Sequence, residues 1–320
     1  MRKLTILGII LLIITTATYL FYQEGSLPVN KNDDTAEIFV IGQGESLNMI
    51  INNLAKARLI RNRLVFFLIL KQKGLDRNIQ AGSFRLQPSF DAYQLADALT
   101  HGTLDVWVTI PEGLRREEVA EIFSQKLGIT EVEFNEQAQE GYLFPDTYLI
   151  PQNASAQDVI KIMTNNFNSK FQAEMKAQAQ KLGLTEGQVV TLASIVEREA
   201  KFDQDRKIVA GILVRRLRED IPLQVDATIQ YILGYQSTEK RWWKTHLSVN
   251  DLKINSFYNT YKQIGLPPGP ISNPGLSALE AVVNANPNTP YLFYLSEPSG
   301  KTHYATTLDE HEENISKYLR

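Results

Sequence analysis

The stretch "TEGQVVTLASIVEREA", residues 185–200, decides the fold of the larger part of this chain. Thr185 is a residue type that commonly caps helix N-termini, and residues 189–196 that follow are almost entirely apolar. Such a run predicts a helix buried on all sides. The run ends in Glu197-Arg198-Glu199, and a buried carboxylate is costly unless it is paired or protonated. The stretch therefore raises a chemical question as well as a structural one.

The two glutamates cannot both face one small site if the helix is regular. An α-helix turns about 100° per residue, so positions two apart point about 200° away from each other. At least one acid should border apolar surroundings, which raise a carboxyl pKa and suit a general acid. An alternative stays open: both acids end the helix at the surface and pair with Arg198, Lys201 or Arg206.

The N-terminal region predicts a membrane anchor. Residues 4–22 are uncharged and mostly apolar, and about 20 such residues span a bilayer. Arg2 and Lys3 precede the run, which favours a cytoplasmic N-terminus and an exported remainder. We predict an anchor over residues 1–23 and a polar linker over 24–36. A cleaved signal peptide is the alternative.

Composition excludes several classes of function. The chain of 320 residues has a formal net charge of -3, so no general basic excess is available to bind nucleic acid. It contains no cysteine, which excludes disulfides, thiolate metal sites and a cysteine nucleophile. Zinc-protease, serine-hydrolase and phosphate-loop motifs are also absent from the sequence. The four histidines have no metal-ligand spacing, and only His303 is considered for a site; they are His101, His246, His303 and His311. We expect neither a metal nor a cofactor.

The pattern of elements predicts an α+β protein with three parts. After the transmembrane helix, a small α+β module covers residues 37–103, and its opening "VIGQGESLNMIINNL" (40–54) resembles a LysM module, a glycan-binding fold. A generic α+β packing domain is the alternative there. A larger mixed α/β domain covers residues 104–320. Within it we predict a strand at 104–110 and one long amphipathic helix at 158–183, ending in Gly183.

Further expectations concern the C-terminal half of the larger domain. A strand is predicted at residues 291–296, followed by a short terminal helix. Trp242 and Trp243 form a pair in a polar stretch and are expected to be exposed. Such a pair would contact membrane or glycan.

Several ordered motifs resemble the endolytic murein transglycosylase family, also called YceG-like. The matching stretches are "IPEG", "GYLFPDTY", "ASIVERE", "LQVDATIQYILG", "NTYKQIGLPPGPISNPGLSALEAVVNANPNTPYLFYL" and "THYATTLDEH". Together they cover most of the chain from about residue 37 to the C-terminus. An order of motifs of this length is far more specific than one short signature.

The resemblance implies a reaction and a catalytic residue. In such a family the β-1,4 bond between N-acetylmuramic acid and N-acetylglucosamine is cut within a glycan strand, which leaves a 1,6-anhydro end. The resemblance puts the catalytic acid on Glu197, while Glu199 would only support it. A single acid/base agrees with the offset of about 200° between the two glutamates better than a flanking pair does.

Substrate-binding residues are predicted from side-chain chemistry within the matching motifs. Amide, hydroxyl and carboxyl groups suit sugar hydroxyls, and tyrosine rings can stack on a pyranose; the candidates are Tyr142, Gln224, Asp226, Asn259, Thr260 and Tyr261. Asp226 could instead cap a helix or alter the charge of Glu197. The expected partners are peptidoglycan strands and the membrane, with cell-wall synthases as candidate protein partners.

Two other functions remain open at this point. A non-enzymatic scaffold would bind glycan through the LysM-like module and recruit synthases through the larger domain. A hydrolase would use a second carboxylate, such as Asp226, to hold a water molecule.

Overall fold

The structure is a computed structural model that describes residues 2–100, 104–297 and 299–319, with side chains from Ile6 onward. The predicted boundary at residues 103 and 104 and one histidine, His101, fall at or inside the gap at residues 101–103. The helices are α1 (Arg2–Ser26), α2 (Leu47–Lys56), α3 (Arg63–Gln72), α4 (Ala92–Ala98), α5 (Arg116–Leu127), α6 (Glu131–Gln137), α7 (Ala156–Lys170), α8 (Ala173–Lys181), α9 (Glu186–Glu199), α10 (Asp203–Arg218), α11 (Asp226–Leu233), α12 (Leu276–Val283) and α13 (Leu308–Tyr318). The strands are β1 (Glu37–Ile41), β2 (Gly82–Leu86), β3 (Asp105–Thr109), β4 (Thr147–Pro151), β5 (Phe293–Ser296) and β6 (Thr302–Ala305). This composition confirms the mixed α+β class.

The chain divides into two compact units. The first contains the described residues before Thr109 together with Tyr148–Asn153, and the second contains the rest. Four strands form one sheet in the order β1-β2-β3-β4, and β5 pairs with β6 in a separate antiparallel ribbon. The predicted domain limits, residues 37–103 and 104–320, stay predictions.

The first unit is built on an antiparallel β1–β2 pair covered by helices. Glu37 pairs with Leu86 and Ile41 with Gly82, and α2 and α3 lie between the two strands in sequence. Side chains from both strands and from α2, α3 and α4 form one buried core. Ser46 caps α2 as its sequence predicts, because its side chain accepts a hydrogen bond from the backbone of Met49.

Helix α1 is apolar enough to cross a membrane. Among the described residues one helix meets that criterion, Ile6–Ser26, with a mean hydropathy of 1.9. The helix ends at Ser26, inside the stretch for which a linker is predicted. Its last turn packs on α3, where Gly25 lies so close to Val65 that a Cβ atom would approach it to 2.6 Å.

The second unit packs around α9. This helix is buried from Val189 to Val196 and contacts α8, α10, α11 and α12. Thr185 caps it in a capping box with Gln188, which confirms the cap. The prediction of a helix buried on all sides is thus confirmed. Glu197 and Glu199 lie in the last turn of this helix.

The prediction of one long helix at 158–183 is wrong. The helix breaks at Phe171, whose ψ of 72° is not helical, and gives α7 and α8. The break lets Phe171 turn into the core and stack on Phe167, with ring centroids 5.7 Å apart. Burial of two aromatic rings outweighs the continuity of a helix whose sequence has no breaker at that position.

The expectation of an exposed tryptophan pair is also wrong. Trp243 is 9% exposed, and its indole N–H donates to Glu118 over 3.0 Å. The guanidinium of Arg198, from the end of α9, stacks on its ring at 3.9 Å. Arg198, the residue between the two glutamates, is therefore held in place by a buried indole.

Candidate functional site

Glu197 lies in a buried ion-pair cluster. Its side chain is 4% exposed, and Oε1 accepts from Nη2 of Arg206 over 2.5 Å. Oε2 accepts from the backbone N–H of Gly275, at the N-terminus of α12, over 3.0 Å. Burial raises the pKa of Glu197, while this N–H and Arg206 act in the opposite direction.

Two other acids share the cation that pairs with Glu197. Arg206 also lies 3.6 Å from Glu112 and 3.3 Å from Asp203. The carboxyl of Glu112 occupies the space beside Gly275 where any larger residue would have its Cβ atom. The "IPEG" and "SNPG" motifs thus meet at the ion pair, and two groups hold the Glu197 carboxyl: Arg206 and the Gly275 N–H.

Glu199 lies on the other side of the helix and lines a cavity of about 550 Å³. Its carboxyl accepts a hydrogen bond from the Tyr294 hydroxyl and one from the backbone N–H of Ala227. Burial, and next the charge of Asp226, raise the pKa of Glu199 to about 7. A carboxyl group in this state exchanges a proton near neutrality, which is what a general acid/base requires.

Three of the predicted binding residues gather in the Glu199 cavity. Gln224, Asp226 and Tyr261 all line it. Asp226 accepts a hydrogen bond from the Tyr261 hydroxyl over 2.5 Å, and Gln224 has a left-handed backbone with φ of 52°. Strained backbone at a cavity wall often accompanies function. The structure thus brings these three residues to Glu199, while Glu197 lines neither this cavity nor the second one described below.

Asn259 and Thr260 hold the loop together instead of lining that cavity. Asn259 is 0% exposed, and its amide donates to the carbonyls of Leu252 and Ile254. Thr260 is 1% exposed and bonds through its hydroxyl to Val225 and Thr228. Because their polar groups are engaged inside the protein, these residues position the chain beside Gln224.

Tyr142 lies at a second cavity, also of about 550 Å³. The first turns of α9 form one wall of this cavity, and the "GLPPGP" loop (265–270) forms another. The Tyr142 ring packs edge-on against Phe167, with ring centroids 4.9 Å apart. The structure therefore separates Tyr142 from the residues that line the Glu199 cavity.

Sequence analysis did not single out several residues that line the Glu199 cavity. Tyr294 comes from β5 and bonds to Glu199, while His311 and Leu308 of α13 line the same cavity. The motif "TPYLFYL" contains three aromatic residues, Tyr291, Phe293 and Tyr294, and the sequence does not show which of them faces the cavity. His303, the histidine singled out earlier, instead stacks on Tyr318 with centroids 3.6 Å apart.

Asn273 is a further residue that sequence analysis did not single out. Its Oδ1 accepts from the backbone N–H groups of Gly141 and Leu143, each over 2.9 Å. Its Nδ2 donates to the carbonyl of Leu114 and to the carboxyl of Glu140. This one buried amide ties together the segments that surround the second cavity.

No group of three or more His, Asp or Glu side chains is arranged to hold a metal ion in the part of the chain that the structure describes. The Glu199 cavity combines a carboxyl with a raised pKa, a neighbouring carboxylate and two tyrosines with the guanidinium groups of Arg198 and Arg216. Such a set can transfer a proton and bind sugar hydroxyls.

Comparison with known proteins gives a consistent result. The model of the YceG-like family matches residues 39–317. A protein of Bacillus subtilis named endolytic murein transglycosylase is 31% identical over 327 residues, covering 91% of this chain and 87% of the relative. One of the same name from Streptococcus pneumoniae serotype 2 is 27% identical over 97% of this chain, which spans 64% of that relative's length.

A solved structure agrees with the fold. The 2.6 Å crystal structure of a yceG-like protein from Listeria monocytogenes superposes with a TM-score of 0.60 at 27% identity. The match covers 87% of this chain and 98% of that one. Motifs, family model, relatives and fold lead to the same conclusion: the chain belongs to the YceG-like family.

Proposed function

We propose that this chain is a lytic transglycosylase that cuts peptidoglycan within its glycan strands. The names of the B. subtilis and S. pneumoniae relatives support the reaction type and the substrate. The observation that carries the proposal is Glu199: a carboxyl group with a pKa of about 7 lines a cavity with Gln224, Asp226 and Tyr261.

The assignment of the acid favours Glu199 over Glu197. The prediction from the motif, Glu197, stays a prediction. The Glu197 carboxylate is stabilised by the 2.5 Å ion pair with Arg206 and by the Gly275 N–H, and both contacts oppose its protonation. Glu199 instead accepts its hydrogen bonds from the neutral Tyr294 hydroxyl and the Ala227 N–H. Burial and the charge of Asp226 favour its protonated form against those bonds and the charge of Arg198. A like charge, Glu112, also lies near Glu197, so the difference between the two acids is the ion pair with Arg206.

A single acid/base suffices for the proposed reaction. Protonated Glu199 donates its proton to the bridging oxygen of the β-1,4 bond as the bond from C1 of N-acetylmuramic acid breaks. The resulting carboxylate takes the proton of that sugar's own C6 hydroxyl as O6 bonds to C1. The products are a free 4-hydroxyl on N-acetylglucosamine and a 1,6-anhydro end. The step consumes no water, and Glu199 finishes protonated.

The other cavity residues have supporting roles in the proposal. Asp226 keeps the pKa of Glu199 high, and it orients the Tyr261 hydroxyl through their 2.5 Å hydrogen bond. Gln224 offers an amide to sugar hydroxyls. Asn259 and Thr260, proposed from sequence as binding residues, act through the loop that they hold. Tyr142 binds substrate at the second cavity.

The membrane location is a further part of the proposal. Helix α1 would anchor the chain in a single pass with its N-terminus in the cytoplasm and both units outside, where peptidoglycan is made. The β1-α2-α3-β2 order and the antiparallel β1–β2 pair support a LysM-like, glycan-binding role for the first unit. An enzyme held at the membrane would meet nascent strands first and terminate their elongation, with cell-wall synthases as neighbours.

The ends of the products test the reaction. The full chain in detergent is incubated with purified glycan strands, and the new ends are weighed by mass spectrometry. Anhydro ends are expected. Ends heavier by one water molecule would indicate a hydrolase in which Asp226 holds the water, and an absence of cleavage would indicate a scaffold.

A further inference from the structure

The second cavity, where Tyr142 lies, contains no group that transfers a proton in the proposed reaction. It lies along the first turns of α9, where Gln188 lines it, while Glu199 ends the same helix. Eleven residues separate the two positions, which is about 16 Å along the helix axis at 1.5 Å per residue. The cavity is thus a separate feature of the second unit, and its volume of about 550 Å³ is in the range of ligand sites.

The walls of the cavity are poor in charged side chains. Among the described residues that line it, the one acid is Glu140, and no lysine, arginine or histidine is present. Glu140 is 8% exposed and bonds to the backbone N–H of Arg116 and to Asn273. Burial, and next the charge of Glu117, raise the pKa of Glu140 to about 8. A ligand with anionic groups would find no basic side chain among the described residues that line the cavity.

Two tyrosines supply both flat faces and free hydroxyls. Tyr142 packs against Phe167, and Tyr258 packs against Tyr231 with centroids 5.2 Å apart, so both rings are fixed. Within the described part of the chain, neither hydroxyl has a protein hydrogen-bond partner. Fixed aromatic rings with unused hydroxyls suit a ligand that is apolar on its faces and polar at its edges.

Glycine keeps one side of the cavity open. A Cβ atom on Gly269 would lie 3.2 Å from the Tyr258 hydroxyl oxygen, which is closer than an ordinary contact. Pro268 and Pro270 flank this glycine and stiffen the loop. The loop therefore leaves the Tyr258 hydroxyl accessible by lacking a side chain at that position.

We propose that this cavity is a second saccharide site, which binds N-acetylated sugar residues of the glycan strand away from the bond that is cut. Sugar rings present apolar faces to tyrosine and proline, and their hydroxyl and acetamido groups suit the Tyr142 and Tyr258 hydroxyls and the Gln188 amide. The carboxylate groups of stem peptides fit less well, because no basic side chain is present among the described residues that line the cavity. The inference rests on the proposed function, because that function supplies the polymer. A site about 16 Å along α9 from Glu199 would hold the strand several sugars from the cut, as an enzyme that acts within strands requires.

Binding of a non-cleavable probe tests the site. The β-1,4-linked tetramer of N-acetylglucosamine is titrated calorimetrically into the full chain in detergent. Wild type should bind it. A Tyr142→Phe/Tyr258→Phe double variant keeps both rings and removes two hydroxyls, and should bind about tenfold more weakly. Tyr235→Phe makes the same change on an exposed tyrosine outside the cavity and should bind like wild type.

A filling variant gives a second readout. Gly269→Val is compatible with a residue that precedes proline, and it should weaken tetramer binding at least as much as the double variant does, because it occupies the space beside Tyr258. Thermal unfolding verifies that each variant is folded. The proposal is overturned if wild type does not bind the tetramer, if both cavity variants bind it normally, or if the same variants lose a free stem peptide and not the tetramer.

The two proposals can fail separately. Anhydro ends from wild type, together with normal tetramer binding by the cavity variants, would leave the proposed reaction standing without this site. Tetramer binding that depends on the cavity, without anhydro ends, would leave a saccharide site on a protein with another activity.

Discussion

Helix α9 ends in two glutamates, Glu197 and Glu199, whose surroundings differ. Glu197 meets a buried guanidinium and a helix N-terminus, both of which favour the carboxylate. Glu199 meets a tyrosine, a backbone N–H and a nearby carboxylate in a cavity, and its pKa rises to about 7. The difference teaches that burial raises both carboxyl pKa values, whereas the partner decides whether a proton remains available.

The largest expected effect separates the two acids by activity. Glu199→Gln keeps the side-chain shape and removes the proton donor, so cleavage should fall by about 10²- to 10⁴-fold. Glu197→Gln is the matched control and should retain far more activity per folded molecule. Rates are measured as anhydro ends released per minute. If Glu199→Gln were fully active while a folded Glu197→Gln variant were inactive, Glu197 would be the catalytic acid.

The free energy of unfolding should depend more on the Glu197 side of α9 than on the Glu199 side. Arg206→Met leaves the Glu197 carboxylate buried without its partner, which should cost about 3–5 kcal/mol of unfolding free energy. The double variant Glu197→Gln/Arg206→Met should recover part of that loss, and Glu199→Gln should be nearly neutral. Thermal unfolding of the full chain measures all three. Equal destabilisation by Glu199→Gln would mean that its carboxyl is also structural.

The pH profile should follow the Glu199 side alone. A general acid must be protonated, so the rate should be highest below the Glu199 pKa of about 7 and fall as the pH rises through it. Asp226→Asn removes the like charge that raises this pKa, so the alkaline limb should move to lower pH. Asp203→Asn, which changes an acid on the Glu197 side, should leave the limb in place. If Asp203→Asn moved the alkaline limb, the rate would depend on the Glu197 side, which would contradict the assignment to Glu199.

The smallest expected effect concerns one hydrogen bond. The Tyr294 hydroxyl donates to Glu199 and stabilises its carboxylate, so Tyr294→Phe should raise the Glu199 pKa and move the alkaline limb to higher pH. The rate at low pH should change by less than about tenfold. Tyr304→Phe removes a comparable bond to Asp205 and serves as the control. A shift of the limb to lower pH would contradict the geometry.

Much of the site could be predicted from the sequence because it depends on local chemistry. The apolar run and Thr185 define α9, and helix periodicity places Glu197 and Glu199 on different sides. The residue types of Gln224, Asp226 and Tyr261 suffice to propose sugar contacts, and the structure brings all three together.

The remainder depends on contacts far apart in the chain. Helix geometry says that the two glutamates diverge, but the side that opens into a cavity is set by Tyr294, about a hundred residues later. Asn259 and Thr260 have the residue types of sugar ligands, yet their polar groups close the loop. Phe171 breaks a helix for tertiary packing that no local pattern shows.

The Asn273 amide also has a consequence for the order of folding. Its partners at Leu114, Glu140, Gly141 and Leu143 lie 130 to 159 residues earlier in the chain. Contacts of such long range form only after the loop between them has lost its freedom, and they slow folding. Helix α9 lies within that loop and is held by local bonds. We therefore expect α9 to be structured before the wall of the second cavity closes over it, so that slow refolding would delay saccharide binding there more than helix formation.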